Sequence, residues 1–333
     1  MVEVESDALG GRPLVVDGPG VGARSHPAGP PSHGPVGSWL GRGEHLALAF
    51  RAATVISRRL PTPLRHRLAD IGGGAAYTLF VGRARVSREN YLVFRPGDRL
   101  AAHRLARAAF RNYARTVVDF LVLEQLVTGL KATPEAVSME PLRRALAQGR
   151  AVIVVTPHLG NWDLGAAITA TGGRPVHAVA DQFGPLAVDA LVRAARERLG
   201  VHVIPSGPSS AREALRALRR GDILCLVADI GKGGTGVPVD FLGRRVYLPA
   251  GPATLALRTG ATVIPGYARR LPGGGHEARL FEPIELPEAG DAEVRVRLLT
   301  QRIADAFERM IWIDPSQWFA FHHQAALPPE VSG

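Results

Sequence analysis

The sequence predicts an α/β fold in which helices cover both faces of a mainly parallel central sheet, preceded by an N-terminal helical cap. After residue 140, short apolar runs alternate with helical patterns, as in successive strand and helix units. The runs are apolar at neighbouring positions, which is typical of parallel strands buried on both faces. With 333 residues, 46% of them hydrophobic, the chain has the material for a sizeable core, which excludes a wholly disordered or fibrous protein.

Both ends of the chain are predicted to be tails outside the fold. Residues 1–38 contain eight glycines and six prolines and show no apolar period, so we expect them to be disordered. Residues 326–333 form a second, short tail. The folded part is therefore expected to consist of a basic helical cap at 39–130 and an α/β core at 131–325.

The cap is predicted to contain helices at 44–60, 64–79 and 100–126. In the first helix, apolar residues recur every three or four positions; they are Leu46, Phe50, Ala53, Ile56 and Leu60. In the third helix, four arginines are spaced to share one face; they are Arg104, Arg107, Arg111 and Arg115. This row of arginines is either a solvated face or an anion-binding surface.

The positive charge of the chain is concentrated in this cap. The formal net charge is +10, and residues 39–120 alone hold fifteen arginines and five acidic residues. Such a local excess implies an anionic partner, namely a nucleic acid, a phospholipid surface or a phosphorylated carrier. We expect Arg51 and Arg58, together with the four arginines of the third helix, to dock the protein on that partner.

In the core, apolar runs predict strands at 151–156, 176–180, 201–204, 223–228, 262–267 and 278–284. Helical patterns predict helices at 162–169, 186–199, 209–219, 251–258 and 294–311. Because active sites of open α/β sheets lie beyond the carboxyl ends of the strands, the residues after each strand are the first candidates for a functional site.

His158 and Asp163 are the strongest candidates for a catalytic pair. They follow the first strand of the core, with Gly160 between them to permit a tight turn. Such a turn can bring the carboxylate back onto the imidazole, so that Asp163 orients His158 and stabilises its protonated form. We expect the backbone amides at Gly160 and Asn161 to stabilise an oxyanion.

No covalent nucleophile is apparent. The sequence has no G-x-S-x-G motif, and its one cysteine, Cys225, lies in an apolar run and is expected to be a core residue. What remains is a base that activates a hydroxyl or amine of a substrate, which points to direct acyl transfer. The adjacent His322 and His323 lack partners at zinc-binding spacing, so no metal site is expected.

Four sequence blocks together resemble the lipid A biosynthesis lauroyl/myristoyl acyltransferase family, which is lysophospholipid-acyltransferase-like and includes the phosphatidylinositol mannoside acyltransferases. The first block is the H-x4-D motif from His158 to Asp163; the others lie at 196–200, at 240–253 and at 313–322. The resemblance extends over residues 44–325, and the combination of blocks is more specific than any one of them.

The resemblance implies acyl transfer from a coenzyme A or acyl-carrier-protein thioester to a hydroxyl of a glycolipid, with no cofactor. It implies a peripheral enzyme at the cytoplasmic face of the plasma membrane, with His158 as the base and Asp163 as its partner. Arg196 matches an arginine of the second block and is expected to contact a phosphate or the donor. No nucleic acid partner is expected.

One loop departs from the mannoside acyltransferases. Where they often carry Asp-Arg-Asp-Leu and a later glutamate, this chain retains only the leading Asp229, followed by a glycine-rich loop with Lys232. We expect Asp229 and Lys232 to shape the substrate site. Asp229 alternatively caps a helix or loop, and the loop at 231–236 does not match a P-loop.

Three other functions remain open from the sequence. One is acyl transfer to a hydroxyl or amine of a secondary metabolite, which the altered loop favours. Another is a metal-dependent hydrolase that uses His158, Asp163, Asp181 and Asp229. The third is a protein that binds lipid or nucleic acid without catalysis. Uncharged stretches reach only about twelve residues, against the roughly 18 needed to span a bilayer, so any membrane association is expected to be peripheral.

Overall fold

The computed structural model describes residues 40–231 and 236–322. The two predicted tails at 1–38 and 326–333 lie outside the described residues, as do Lys232 and His323. In the described part, the fold is the α/β architecture predicted from the sequence, with a mainly parallel sheet of seven strands between helices.

Within residues 40–131, five α-helices precede the sheet. They are α1 (Leu40–Arg59), α2 (Thr62–Leu79), α3 (Val81–Tyr91), α4 (Arg99–Phe120) and α5 (Leu123–Lys131). Pro61 separates α1 from α2, and the Asp98 side chain caps α4 by accepting a hydrogen bond from the Ala101 amide at 2.8 Å. Sequence reasoning missed α3, whose charged residues show no apolar period.

The helix predicted at 100–126 is interrupted, which corrects that boundary. The chain leaves the helical conformation at Val122, where φ is −122°. The interruption turns Val122 and Leu123 inward, and they are 1% and 3% exposed. Burial of these two side chains offsets the loss of helical hydrogen bonds.

The central sheet has the order β1-β9-β8-β2-β5-β3-β4. Its strands are β1 (Val137–Ser138), β2 (Val152–Thr156), β3 (Val176–Ala180), β4 (Val201–Pro205), β5 (Ile223–Val227), β8 (Thr262–Arg270) and β9 (His276–Leu280). All neighbours are parallel except β8 and β9, which form an antiparallel hairpin. The strand predicted at 278–284 is therefore shorter in the structure, where it is β9, and it runs antiparallel to β8.

A second sheet, the hairpin of β6 (Val237–Phe241) and β7 (Arg244–Leu248), was not predicted.

Helices cover both faces of the sheet. Ile153, Val155 and Leu224 join a core with α4, α9 (Ser210–Arg219), α10 (Gly251–Thr259) and α11 (Ala292–Ile313). Val152, Val154 and Ile223 join the opposite core with α5, α6 (Glu140–Ala147) and α7 (Trp162–Ala170). The remaining helix is α8 (Leu186–Arg198). Neighbouring strand residues thus point into different cores, which explains why the strands read as continuous apolar runs.

A buried ionic cluster ties the helices before the sheet to the sheet itself. Asp119 of α4, which is 0% exposed, accepts hydrogen bonds from His66 of α2 and Arg270 of β8, both at 2.7 Å. Arg65 of α2 and His276 of β9 lie 3.7 and 3.3 Å from the same carboxylate. One carboxylate therefore joins four elements, and the two arginines need it because they too are buried.

Candidate active site

His158 and Asp229 form the central pair of the candidate site. In the parallel pairing of β2 and β5, Thr156 is opposite Val227, so the residues two positions beyond each strand meet at the carboxyl edge of the sheet. There the Nδ1 atom of His158 lies 2.6 Å from a carboxylate oxygen of Asp229. The sheet register, rather than a local turn, therefore brings the imidazole and the carboxylate together.

Donors from His158 and Trp318 hold Asp229 in place within the described part of the chain. One carboxylate oxygen accepts from the His158 backbone amide at 3.0 Å as well as from the ring, and the other accepts from the Trp318 indole at 2.8 Å. Its side chain is 1% exposed. Burial acts to raise the pKa of Asp229, but the nearby His158 and these donors outweigh burial and lower it below its usual value. Asp229 is therefore a carboxylate at neutral pH.

This carboxylate sets the tautomer of His158. Because an ionised carboxylate only accepts hydrogen bonds, Nδ1 carries the ring proton and Nε2 keeps its lone pair. The His158 side chain is 31% exposed, and Nε2 makes no hydrogen bond to the described residues. The ring is also packed against Trp162, with the ring centroids 5.3 Å apart. A histidine oriented in this way can act as a general base towards a substrate that reaches Nε2.

Asp163, the expected partner of His158, has a different partner. It lies in the first turn of α7, where it accepts a hydrogen bond from the Nε atom of Arg196 at 2.7 Å. Both side chains are mostly buried, at 14% and 15% exposed. The His158–Asp229 contact thus replaces the expected His158–Asp163 contact. Arg196 of α8 binds Asp163, and Asp229, which follows β5, binds His158.

Arg196 is correspondingly less available to a substrate than expected. Besides its ion pair with Asp163, its guanidinium lies 5.9 Å from the ring centroid of Phe120. These contacts fix α8 against α7 and the end of α4. Of the other two expected substrate-binding residues, Asp229 binds His158, and Lys232 lies outside the described residues.

The amides of Gly160 and Asn161 are not free for an oxyanion, contrary to expectation. The Gly160 amide donates to the Gln317 carbonyl at 2.9 Å, and the Asn161 amide donates to the Ala268 carbonyl at 2.7 Å. The Asn161 side chain caps α7 by accepting from the Leu164 amide at 3.0 Å. The amides of Trp162 and Asp163, which open α7, have no acceptor within the described part of the chain.

Aromatic residues from the C-terminal segment enclose the site. The Phe319 amide donates to the His158 carbonyl at 2.8 Å, and the Phe319 ring lies 6.0 Å from that of Trp162 and 5.2 Å from that of Tyr113. Trp318 is 1% exposed beneath Asp229. The C-terminal block at 313–322 is distant from the H-x4-D block in the sequence, and these contacts bring the two blocks together in space.

Cys225 is not a nucleophile in this structure. It lines a narrow apolar cavity beside the site, together with Val154, Thr156, Trp162 and Ala268. Burial raises the pKa of the Cys225 thiol to about 12, so the reactive thiolate is absent at neutral pH. Within residues 40–231 and 236–322, no group of three or more His, Cys, Asp or Glu side chains could hold a metal ion.

The expected docking arginines fall into two groups. Arg58 and Arg115 are in ion pairs with Glu124 and Asp70, and Arg111 is partly buried beside α2. Arg51, Arg104 and Arg107 are exposed. The predicted row of four arginines on α4 is therefore not one uniform surface, because α2 packs over its C-terminal half.

The helices before the sheet expose an apolar surface. On α1, Leu46 and Ile56 are 52% and 56% exposed. On α2 the exposed side is apolar and the buried side contains Arg65, Ala69, Gly73 and Tyr77. We call the exposed apolar side of α2, together with the start of α3, the exposed apolar surface. It comprises Leu64, Leu68, Ile71, Leu79, Phe80 and Val81. Among the described residues, no helix is both long and apolar enough to cross a membrane.

Comparisons with known proteins show the family to which the chain belongs. The sequence model of the family described as bacterial lipid A biosynthesis acyltransferase matches residues 43–325. The chain is similar to the phosphatidylinositol mannoside acyltransferase of Mycolicibacterium smegmatis, with 29% identity over 288 residues that span 85% of this chain and 92% of the relative. It is also similar to the phosphatidylinositol mannoside acyltransferase of Mycobacterium tuberculosis H37Rv, with 31% identity over 189 residues, 56% of this chain and 58% of that relative.

Proposed function

Because the chain belongs to the bacterial lipid A biosynthesis acyltransferase family and is an acyltransferase, we propose that it moves a fatty acyl group from a coenzyme A or acyl-carrier-protein thioester to a hydroxyl of a glycolipid such as a phosphatidylinositol mannoside. The similarity to two phosphatidylinositol mannoside acyltransferases supports the acceptor class. The observation that most directly supports this chemistry is the 2.6 Å contact between His158 Nδ1 and the buried carboxylate of Asp229.

In the proposed reaction, the oxygen of the acceptor hydroxyl attacks the thioester carbonyl carbon while His158 Nε2 takes the proton of that hydroxyl. Asp229 stabilises the imidazolium that forms, in the manner of a carboxylate that orients a catalytic histidine. When the tetrahedral intermediate collapses, the carbon–sulfur bond breaks and the imidazolium returns its proton to the leaving thiolate. An ester and a free thiol result, and His158 is again neutral.

The tetrahedral oxyanion needs donors other than the amides of Gly160 and Asn161. We assign this role to the amides of Trp162 and Asp163, because they open α7, where the helix dipole is positive. The carboxylate of Asp163 lies close to these amides and would by itself destabilise the negative charge that develops on the intermediate. The ion pair with Arg196 offsets the charge of this carboxylate. Asp163 therefore has an indirect electrostatic role in place of direct contact with His158.

The protein is proposed to work on an anionic membrane at the cytoplasmic face of the plasma membrane. The exposed apolar surface on α2 and the start of α3 supports insertion among acyl chains. Exposed arginines of the same helical region, including Arg51, Arg104 and Arg107, support attraction to anionic headgroups. The glycolipid acceptor would then reach His158 from the membrane. A role of Lys232 in holding the acceptor remains part of this proposal.

A direct test uses the purified full-length protein in vesicles with an acyl-CoA or an acyl carrier protein and a phosphatidylinositol mannoside. Mass spectrometry should detect an acylated mannoside and a free thiol, and His158→Gln should abolish the product while thermal unfolding stays close to that of the wild type. Activity that disappears in chelator, or acylation of a soluble metabolite in preference to the glycolipid, would contradict the proposal and favour one of the alternative functions.

A further inference from the structure

A cleft lies between α1 and α8, beside the end of α4 and the start of α5. Ala47, in the first half of α1, packs with Val188 and Val192 of α8 in a small apolar cluster. The later residues of both helices instead enclose a cavity of about 270 Å³. This volume is close to the lower end of the range for small-molecule sites, roughly 300–1,000 Å³, so the cleft has room for a ligand.

The walls of the cleft are mainly apolar and come from all four helices. They are formed by Phe50, Val55, Phe120, Leu123, Leu191 and Leu199. Val55 is 50% exposed and the neighbouring Ile56 is 56% exposed, so apolar residues extend from the cleft onto the outer surface of α1. Apolar walls of this kind favour a hydrocarbon chain over water.

The rim of the cleft is positively charged. Its arginines are Arg51 and Arg58 of α1 and Arg198 of α8, and the acidic residue among the described lining residues is Glu124 of α5. Arg58 and Arg198 each bind one oxygen of the Glu124 carboxylate, at 2.8 and 3.0 Å. Arg51 is exposed and has no ion pair or hydrogen bond to the described residues. Because three guanidinium groups face one carboxylate, the rim keeps a net positive charge that an anion can neutralise.

The cleft is separate from the candidate active site. Neither His158 nor Asp229 lines it. The guanidinium of Arg196 lies 5.9 Å from the centroid of the Phe120 ring, which is part of the cleft wall, and Arg196 in turn binds Asp163 of α7. A ligand in the cleft would therefore lie beside the helices that support the site rather than at His158 itself.

We propose that the cleft binds one anionic phospholipid of the membrane, with an acyl chain against the apolar walls and the phosphodiester at the arginines of the rim. The site rests on the proposed membrane association and adds to it, because it assigns a lipid to residues outside the exposed apolar surface. The charge of the rim selects the anionic class. A zwitterionic headgroup would bring a further cation to Arg51, whereas the fork of a guanidinium suits the oxygens of a phosphate.

Native mass spectrometry of the purified full-length protein tests the cleft. The protein in detergent micelles is titrated with dioleoyl phosphatidylglycerol or, in parallel, with dioleoyl phosphatidylcholine, which has the same chains. One phosphatidylglycerol should be retained per protein at concentrations at which phosphatidylcholine is not. Arg51→Gln should weaken this binding roughly tenfold, through loss of a charge-assisted contact. Arg212→Gln is the matched control, because Arg212 is also exposed and without an ion pair among the described residues but lies on α9.

A second variant tests the apolar part of the cleft. Ala195 of α8 lines the cavity, so Ala195→Phe should exclude part of the acyl chain and lower the affinity for phosphatidylglycerol roughly tenfold. Ala211→Phe, at an exposed alanine of α9, is the control, and thermal unfolding without lipid verifies that each variant folds. Equal retention of the two lipids by the wild type, or unchanged retention in either Arg51→Gln or Ala195→Phe, would overturn the cleft as a site for an anionic lipid.

The same spectra distinguish a membrane phospholipid from a substrate. A separate cleft predicts complexes that hold phosphatidylglycerol together with a phosphatidylinositol mannoside, and phosphatidylglycerol together with a non-hydrolysable acyl-coenzyme A thioether. Strict displacement of phosphatidylglycerol by either of these would show that the cleft is a substrate site and would refute its assignment to a membrane phospholipid. None of these measurements requires turnover. Retention without acyl transfer therefore counts against the proposed function alone, and acyl transfer without retention counts against the cleft alone.

Discussion

The turn at 157–161, between β2 and α7, carries His158, and we call it the catalytic turn. Gly160 is the residue on which its shape depends most. Its φ of +65° lies in the left-handed region, where a residue with a Cβ atom is strained by about 1–2 kcal/mol. A Cβ atom there would also collide with the Ala268 carbonyl, which accepts the Asn161 amide. The close approach of β8 to this turn is what orients the first residues of α7 beside His158.

Replacement of Gly160 should therefore disturb both stability and catalysis. We expect Gly160→Ala to lower the free energy of unfolding by about 2–5 kcal/mol, because backbone strain and a steric clash add, and to lower kcat as well. Gly149→Ala is the control, since Gly149 also has a positive φ, of +73°, but has open space around it; it should cost only about 1–2 kcal/mol. Urea unfolding of the two variants measures the difference, and equal losses would contradict the clash.

Sequence reasoning included His158, Asp163 and Asp229 among the candidate site residues but paired His158 with Asp163, whereas the structure pairs it with Asp229. His158 and Asp163 are five positions apart, so a local turn made them the expected pair, whereas Asp229 is 71 positions from His158. Which strand lies beside β2 is decided by the whole sheet and cannot be read from local spacing. The available signal was that Asp229, like His158, directly follows a predicted strand, and parallel strands end at one edge.

At the scale of elements, the Asp119 cluster joins α2 and α4 to the hairpin of β8 and β9. Burial acts to raise the pKa of Asp119, but the close His276 and His66 side chains and the charge of Arg270 hold it far below its usual value of 3.8. Since the pKa is lower in the folded than in the unfolded protein, the cluster stabilises the fold at pH values above about 4. That stabilisation is lost progressively as the pH falls below this value.

Asp119→Asn should lower the free energy of unfolding at pH 7 by about 3–5 kcal/mol, because two buried arginines lose their carboxylate. The variant should also lose part of the decline in stability that the wild type shows below pH 4. Asp70→Asn removes a partly exposed ion pair with Arg115 and should cost at most about 1 kcal/mol. Thermal unfolding followed between pH 7 and pH 3 separates the two variants; similar losses in both would show that the buried cluster contributes no more than a surface ion pair.

The predicted elements were most accurate where burial follows a simple pattern. The runs that became β2, β3 and β5 are apolar because both of their faces are covered, and their bounds agree with the sequence within one residue. On α1 and α2, by contrast, apolar residues at helical spacing face outward. Periodicity locates an apolar face but does not say whether protein or membrane covers it.

At the scale of the whole molecule, the exposed apolar surface and the basic excess belong to the same helices before the sheet. The structure leaves Ile71 71% and Leu79 75% exposed, on a surface that water alone does not favour. The catalytic turn contacts these helices through Thr116 of α4, whose hydroxyl donates to the Gly160 carbonyl at 3.2 Å. Membrane contact and catalysis are therefore expected to involve one connected unit.

Charged substitutions in the exposed apolar surface should weaken membrane binding without unfolding the protein. We expect Ile71→Asp combined with Phe80→Asp to reduce binding to anionic vesicles at least tenfold in a sedimentation assay, since charged side chains oppose insertion at the interface. Leu298→Asp, at an exposed leucine of α11, is the control and should bind like the wild type. Unchanged binding of the double variant would place the membrane contact elsewhere.

The proposed catalysis depends above all on the carboxylate that orients His158. The most direct measurement is kcat for acyl transfer to a phosphatidylinositol mannoside by Asp229→Asn and Asp163→Asn, with circular dichroism to verify folding. We expect Asp229→Asn to lower kcat roughly 10³-fold or more, as loss of an orienting carboxylate does in histidine-dependent acyl transfer. Asp163→Asn, which disturbs only the pair with Arg196, should lower kcat by about tenfold at most. A larger loss for Asp163→Asn than for Asp229→Asn would contradict the account.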